Sequence, residues 1–327
     1  MRVAVLGTGY WGKNILRNLN DLGSLAAFCD TNPHVRAEFV TQYPKAEAYA
    51  SPEEILADPT IEAVAIATPA ATHGEMAKSA LLAGKHVFVE KPLCLDYDEA
   101  LELNRLADDR DLVLMVGHLL LYHPAFLSVK ASIDDGEIGK LRYLYSNRAS
   151  LGKIRREENA LWSFAPHDIS MMLALTGRMP CKVVSNGEAW LSPNVADTSL
   201  SHFDFGKGLQ AHIFVSWLHP FKDHRLVVIG EEGMLVFDDT RQNEDKVIRY
   251  DHTVGWDGDI PLLDRAEAQR VPYGSEEPLK LEIHHFLECC RTGARPRSDA
   301  LEGANVLKVL EMCQRALMSG LPEMADD

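Results

Sequence analysis

The sequence is short of several things, and each shortage removes a class of function. It has six cysteines, Cys29, Cys94, Cys181, Cys289, Cys290 and Cys313, but no C-x-x-C pair. Neighbouring Cys289 and Cys290 are badly spaced to share a metal, and adjacent His284 and His285 point apart on a helix, so no metal is expected. Free thiols in a reducing compartment are the simpler reading. No apolar run is long enough to cross a bilayer. The longest, Leu112 to Tyr122, is interrupted by Gly117 and His118. The first, Val3 to Leu6, stops at Gly7 and is followed by Lys13 and Arg17, so no secretory signal is read there. A cytoplasmic protein with no membrane partner is the expectation. Basic charge is also scarce. Against 48 Asp and Glu stand 33 Lys and Arg, a net charge of −15. That balance argues against nonspecific nucleic-acid binding, which needs a basic surface. It leaves room for an anionic small ligand at a local basic cluster. Internal repeats, low-complexity tracts and long linkers are missing too.

What is present is 327 residues, about two domains' worth. Residues 1–120 alternate apolar runs with helical stretches. Runs at Arg2–Leu6, Leu25–Cys29, Ala63–Ala67, His86–Val89 and Leu112–Val116 read as buried parallel strands. Trp11–Leu22, Glu75–Ala83 and Tyr97–Asp109 read as helices. Repeated β-α units of this length predict a doubly wound parallel sheet. After a helix at Pro124–Ile133 the character changes. Seven runs rich in β-branched and aromatic residues, between Leu141 and Tyr250, predict a large and mostly antiparallel sheet. Helices are expected at Asp168–Leu175, Leu279–Arg291 and Leu301–Met318. The fold class is α/β. An N-terminal Rossmann domain covers 1–120, and an α+β domain for substrate binding and oligomerisation covers 121–327.

Gly7-Thr8-Gly9-Tyr10-Trp11-Gly12 follows the first strand, opens the first helix and fits G-x-G-x-x-G. Gly7 allows the tight turn, Gly9 lets a pyrophosphate approach the backbone, and Gly12 lets helix and strand pack closely. The helix start then offers N–H groups and a positive dipole end to the diphosphate. Asp30 lies 18 residues beyond Gly12 at the end of the second strand. There a carboxylate accepts hydrogen bonds from the adenosine ribose and repels a 2′-phosphate, so NAD is expected rather than NADP. Thr68, Pro69, His73, Glu90 and Lys91, at or beyond later strand ends, complete the expected cofactor set with Thr8, Tyr10 and Trp11.

Lys91 ends the fourth parallel strand, in Glu90-Lys91-Pro92. Open α/β sheets bind ligands beyond these ends. An ammonium there either sits in water or holds a substrate hydroxyl and steadies charge on its oxygen. The Lys91–Pro92 bond admits a cis peptide. Pro166 suits a helix start and places His167 and Asp168 in the first turn. By its residues alone, His167 reads first as a structural histidine, with Asp168 complementing the helix dipole.

With the glycine loop, Glu90-Lys91-Pro92, Ala165-Pro166-His167-Asp168, Glu277-Pro278-Leu279 and His285-Phe286 in this order, the chain resembles the glucose-fructose oxidoreductase/inositol dehydrogenase (Gfo/Idh/MocA) family over nearly its whole length. The resemblance implies a Rossmann domain joined to a domain with a large open sheet, through which members commonly associate as homodimers or homotetramers. It also implies that Lys91 and His167 are catalytic. Many members carry Asp four residues before the histidine; here it is Ser163, so a Lys-His-Asp relay is not implied. The stretch with Arg148, Lys153, Arg155, Asn159 and Trp162 looks closest to the subgroup of UDP-N-acetylglucosamine 3-dehydrogenases, with the UDP-N-acetylglucosaminuronate 3-dehydrogenases next.

That subgroup has a physical side. Lys153, Arg155 and Arg156 form a compact basic cluster in an acidic chain. They are either solvated or the partners of a sugar-nucleotide diphosphate, which Arg grips in a planar fork. Arg148, Asn159, Trp162 and His118 are further candidate substrate contacts, His118 being as readily a packed histidine. The expected reaction is NAD-dependent oxidation of a sugar C3 hydroxyl. His167 acts as base, since an ordinary His titrates near ~6.5 and Lys near ~10.4. The 3-keto product would pass to an aminotransferase, in 3-amino-sugar synthesis for surface polysaccharide or lipid A. Oxidation of a free sugar or inositol is the alternative within the family. A non-catalytic NAD sensor would keep Gly7, Gly9, Gly12 and Asp30 but have no use for Lys91 and His167.

Overall fold

The computed structural model describes residues 1–152, 154–242 and 245–325. Its contacts separate two compact units. Met1–Tyr122 and Glu276–Leu307 form the first; His123–Ser275 and the chain from Lys308 form the second. The expected division assigned everything after residue 120 to one domain. By its contacts Glu276–Leu307 groups with the first unit instead.

The first unit is built on β1 (Val3–Leu6), α1 (Gly12–Asp21), β2 (Leu25–Cys29), α2 (Pro33–Gln42), β3 (Glu47–Tyr49), α3 (Pro52–Ala57), β4 (Ala63–Ile66), α4 (His73–Leu82), β5 (His86–Glu90), α5 (Tyr97–Asp109) and β6 (Leu114–Gly117). The six strands pair in parallel in the order β3-β2-β1-β4-β5-β6. This is the Rossmann order, and it reverses direction between β1 and β4. β1, β4 and β6 are buried at every position, as strands covered on both faces must be. α5 shows why its sequence is helical. The Asp96 side chain caps it by accepting from Glu99 N–H, acids Asp98 and Glu99 occupy the first turn, and Ala100, Leu103 and Ala107 bury one face. α2, α3 and β3 lie where the apolar pattern predicts no elements.

The second unit begins with α6 (Pro124–Asp134), β7 (Leu141–Ala149) and α7 (Ala160–Thr176). Then follow β8 (Lys182–Glu188), β9 (Thr198–Asp204), β10 (Gln210–Ser216), β11 (Asp223–Gly230), β12 (Met234–Asp238), β13 (Val247–Tyr250), β14 (Thr253–Asp257), β15 (Ile260–Asp264) and β16 (Gln269–Arg270). The chain ends with α8 (Pro278–Thr292), α9 (Ala300–Ser319) and β17 (Glu323–Met324). α8 and the start of α9 belong to the first unit. Nine strands form one sheet, β16-β13-β12-β11-β7-β10-β9-β8-β17, antiparallel at every junction except β7–β10. α7 packs on β7, β9 and β10. On β7 Leu144, Ser146 and Arg148 are buried on one face, while Tyr143, Tyr145 and Asn147 lie half-buried on the other, which closes at buried Ala149. β14 and β15 form a separate exposed hairpin that the sequence did not suggest. Among the described residues no helix is long and apolar enough to cross a membrane.

α7 departs from expectation at its start. It begins at Ala160, six residues before Pro166, so Pro166 is inside the helix and His167 is near its middle. The true cap is Asn159, whose side chain accepts from Trp162 N–H at 3.0 Å. Asp168 therefore does not complement a helix start.

Candidate active site

In the first unit, sterics dictate the glycine loop. Gly7 has φ +87°, and a Cβ there would lie 2.9 Å from the Ala67 carbonyl oxygen. At Gly12 a Cβ would sit 2.0 Å from the Gly7 oxygen, so only glycine lets α1 start against β1. Gly9 differs: a Cβ there meets no protein atom within 4 Å. Nothing in the chain itself requires glycine at that point, whereas a bound diphosphate would. Thr8 N–H and hydroxyl both donate to Asp30 Oδ2, at 3.0 and 2.9 Å, and Asn32 N–H donates to Oδ1 at 2.9 Å. Burial alone would raise the Asp30 pKa, but these donors and the charge of Arg36 outweigh it and hold the carboxyl below its usual range. The loop, the open space at Gly9 and a carboxylate held ionised at the end of β2 together fit an NAD dinucleotide.

The other expected cofactor residues gather at the strand ends. Tyr10 is exposed, with the Lys13 ammonium 5.4 Å from its ring centre. The Trp11 indole N–H donates to Glu90 Oε1. Burial pushes the Glu90 pKa up to about 7, against the pull of Trp11 and the charge of Lys91. Lys91 follows at the strand exit, half-buried, and the Lys91–Pro92 peptide is cis. Thr68 and Thr72 share a 2.7 Å hydroxyl contact, and Thr72 N–H donates to the Pro69 carbonyl. His73, another expected cofactor contact, is packed inside the fold. It is 1 % exposed, with its ring nitrogens 2.7 Å from the Pro92 oxygen and 2.9 Å from the Thr68 oxygen. Burial lowers its pKa, so the neutral ring has one N–H to donate, to one of the two carbonyls at the exits of β4 and β5. His118 is packed as well, 1 % exposed and 2.5 Å from Glu302 Oε2.

In the second unit, three expected substrate contacts are engaged within the protein. Arg148 is 7 % exposed and grips Asp168 with Nε at 2.6 Å and Nη2 at 3.2 Å. Asn159 caps α7 and donates to Gln314 Oε1 at 2.8 Å, and the Trp162 indole N–H donates to the same oxygen at 3.1 Å. His167 is half-buried on α7. Arg155 keeps 41 % of its side chain exposed beside Glu158 at 3.0 Å, and Arg156 is exposed. Lys153 lies outside the described residues. The pairing of Arg148 with Asp168 escapes local motif reading. Its one trace in the sequence is a lone acid in the apolar run Ala165–Leu175, which must find a partner once buried.

The model of the oxidoreductase family Gfo/Idh/MocA, NAD-binding Rossmann fold, matches residues 1–118, and that of the family's C-terminal domain matches 126–236. The chain belongs to the Gfo/Idh/MocA family. Its relatives include scyllo-inositol 2-dehydrogenase (NAD(+)) of Bacillus subtilis, 28% identical over 100% of this chain and 96% of the relative. UDP-N-acetylglucosamine 3-dehydrogenase of Acidithiobacillus ferrooxidans is 27% identical over 94% of each chain. A solved structure of that dehydrogenase, GnnA, superposes with a TM-score of 0.85 at 26% identity, covering 98% of both chains. This Gfo/Idh/MocA member is therefore an oxidoreductase, and its cofactor is NAD.

Proposed function

We propose that the chain is an NAD-dependent dehydrogenase that oxidises the C3 hydroxyl of UDP-N-acetylglucosamine to the 3-keto sugar. The observation that carries the substrate class is the pair Arg155 and Arg156, solvent-accessible just ahead of the helix of His167 in a chain of net charge −15. A diphosphate answers such donors; a free polyol has no use for them. The likeness to a UDP-N-acetylglucosamine 3-dehydrogenase over nearly the full length points the same way. UDP-N-acetylglucosaminuronate is the neighbouring substrate. The likeness to an inositol dehydrogenase supports a free cyclitol as the second reading.

The Gly7–Gly12 loop and Asp30 hold the dinucleotide, and the Asp30 charge selects against a 2′-phosphate. When bound, NAD supplies the hydride acceptor. Lys91 orients the substrate hydroxyl and stabilises negative charge growing on its oxygen. His167 takes the hydroxyl proton. Arg155 holds the diphosphate, so Arg155→Ala raises KM about tenfold with kcat little changed, since the contact is equal in ground and transition states. The keto product suits an aminotransferase as the next enzyme. Assembly as a homodimer or homotetramer through the Tyr143–Tyr145 face of the nine-stranded sheet, burying more than about 1,000 Å², completes the reading. Six free cysteines favour a cytoplasmic setting.

The test is NADH absorbance with UDP-N-acetylglucosamine, UDP-N-acetylglucosaminuronate, free N-acetylglucosamine, scyllo-inositol and myo-inositol. Turnover of a UDP-sugar is expected. Turnover confined to inositols would replace this reading with the second one.

A further inference from the structure

The backbone of α7 is weak at the place where it carries His167. Pro166 offers no N–H to the Trp162 carbonyl, and its ring crowds that carbonyl. The following residue is His167, and the one after it, Asp168, is 0 % exposed. Asp168 Oδ1 accepts the Ser146 hydroxyl at 2.5 Å and Arg148 Nη2 at 3.2 Å, while Oδ2 accepts Arg148 Nε at 2.6 Å. A two-pronged guanidinium fixes the carboxylate in direction as well as distance. Arg148 is held in turn. It stands opposite His224 in the β7–β11 register, and its Nη1 lies 3.3 Å from His224 Nδ1. Since Arg only donates, His224 Nδ1 accepts and its proton sits on Nε2. Burial first, then the charges of Arg148 and Lys222, draw the His224 pKa down to about 4, which keeps the ring neutral. The network runs from β11 through β7 into α7.

A buried ion pair is a poor device for stability alone, because apolar side chains of similar volume often do as well. A directional role explains the pair better. We propose that Arg148 and Asp168, with Ser146, are positioning residues that fix the His167 turn where Pro166 loosens it, and that Arg148 acts through Asp168 rather than on substrate. The proposal takes the role of His167 as proton acceptor from the functional reading above.

The decisive variant is R148M/D168L in the full-length, NAD-loaded protein, with R148K beside it. The double variant should melt close to the wild type and bind NADH normally. Its His167 imidazole NMR signals and titration midpoint should move, and kcat should fall about 10–10²-fold with KM nearly constant, as for a misplaced reacting group. R148K, keeping charge but losing the fork, should fall between. Unmoved His167 signals in the double variant overturn the proposal, whatever happens to melting. If the double variant does not fold, unmoved signals in R148K overturn it. The NMR arm needs no substrate. A wrong substrate assignment therefore shows as shifted His167 signals with no turnover of any UDP-sugar by the wild type.

Discussion

The glycine loop and the His167 turn are both short segments tied to helices, yet they are held in opposite ways. The loop is shaped by missing side chains. A Cβ at Gly12 would strike the Gly7 carbonyl five residues back, and Gly7 takes the positive φ of the turn itself; only the crowding of Gly7 by Ala67 comes from far along the chain, so most of the loop's form is local and written in adjacent residues. The turn is shaped by side chains that are present and distant in sequence. Asp168 is 20 residues from Arg148, and Asn159 is 155 from Gln314. A motif of the first kind can be recognised in isolation. One of the second kind exists only after β7, β11 and α7 have packed.

The sharpest way to break this comparison is at the chemistry. If the distant turn serves catalysis, His167→Ala should lower kcat by about 10²–10⁴-fold. Lys91→Ala should lower kcat and kcat/KM together by about 10²–10³-fold. NAD binding, which belongs to the local motif, should survive both. Near-normal steady-state turnover by the two variants would remove the catalytic role from both Lys91 and His167.

The next effect is on stability against pH. Burial raises the Glu90 pKa from 4.5 to about 7. The folded state therefore holds this proton longer than the unfolded chain does. Stability is favoured below the unfolded pKa and lost as pH rises from about 4.5 to about 7, then is level. Glu90→Gln removes that loss and should raise stability by up to about 3 kcal/mol at pH 8, with little change at pH 4. Denaturant melts at the two pH values measure it; an equal change at both would show that the carboxyl titrates normally.

Within the loop, two glycines separate folding from binding. Gly12→Ala drives a Cβ into the Gly7 carbonyl and should cost about 1–3 kcal/mol. Gly9→Ala meets no protein atom, so its melting temperature should stay put while NAD affinity drops. If Gly9→Ala binds NAD normally by calorimetry, the diphosphate does not lie against that residue. The smallest effect concerns selectivity. Asp30→Ala should narrow the preference for NAD over NADP by about tenfold, roughly 1.4 kcal/mol. Comparable binding of both cofactors by the unaltered protein would already contradict it.

Much of this molecule was legible as sequence, wherever the controlling physics is short-ranged. Parallel strands buried on both faces read as apolar runs, and the start of α5 is marked by its cap and its acids. The glycine loop with Asp30 follows from where backbone must approach backbone. Elements without a buried stripe were not legible. α2 buries only Phe39, although Asn32 caps it and Pro33 opens it, so periodicity had nothing to find. Pro166 suggested a helix start because proline is tolerated there at no cost, and only packing on β7, β9 and β10 shows that the helix runs through it. The same holds for His73, Arg148 and Asn159. Their side chains are long or polar enough to serve a ligand or the protein, and the sequence does not distinguish the two. Tertiary structure decides, because burial removes water as a partner and obliges each polar group to take a nearby complementary one: a carbonyl for the single N–H of a neutral His73 ring, Asp168 for Arg148, and Gln314 for Asn159.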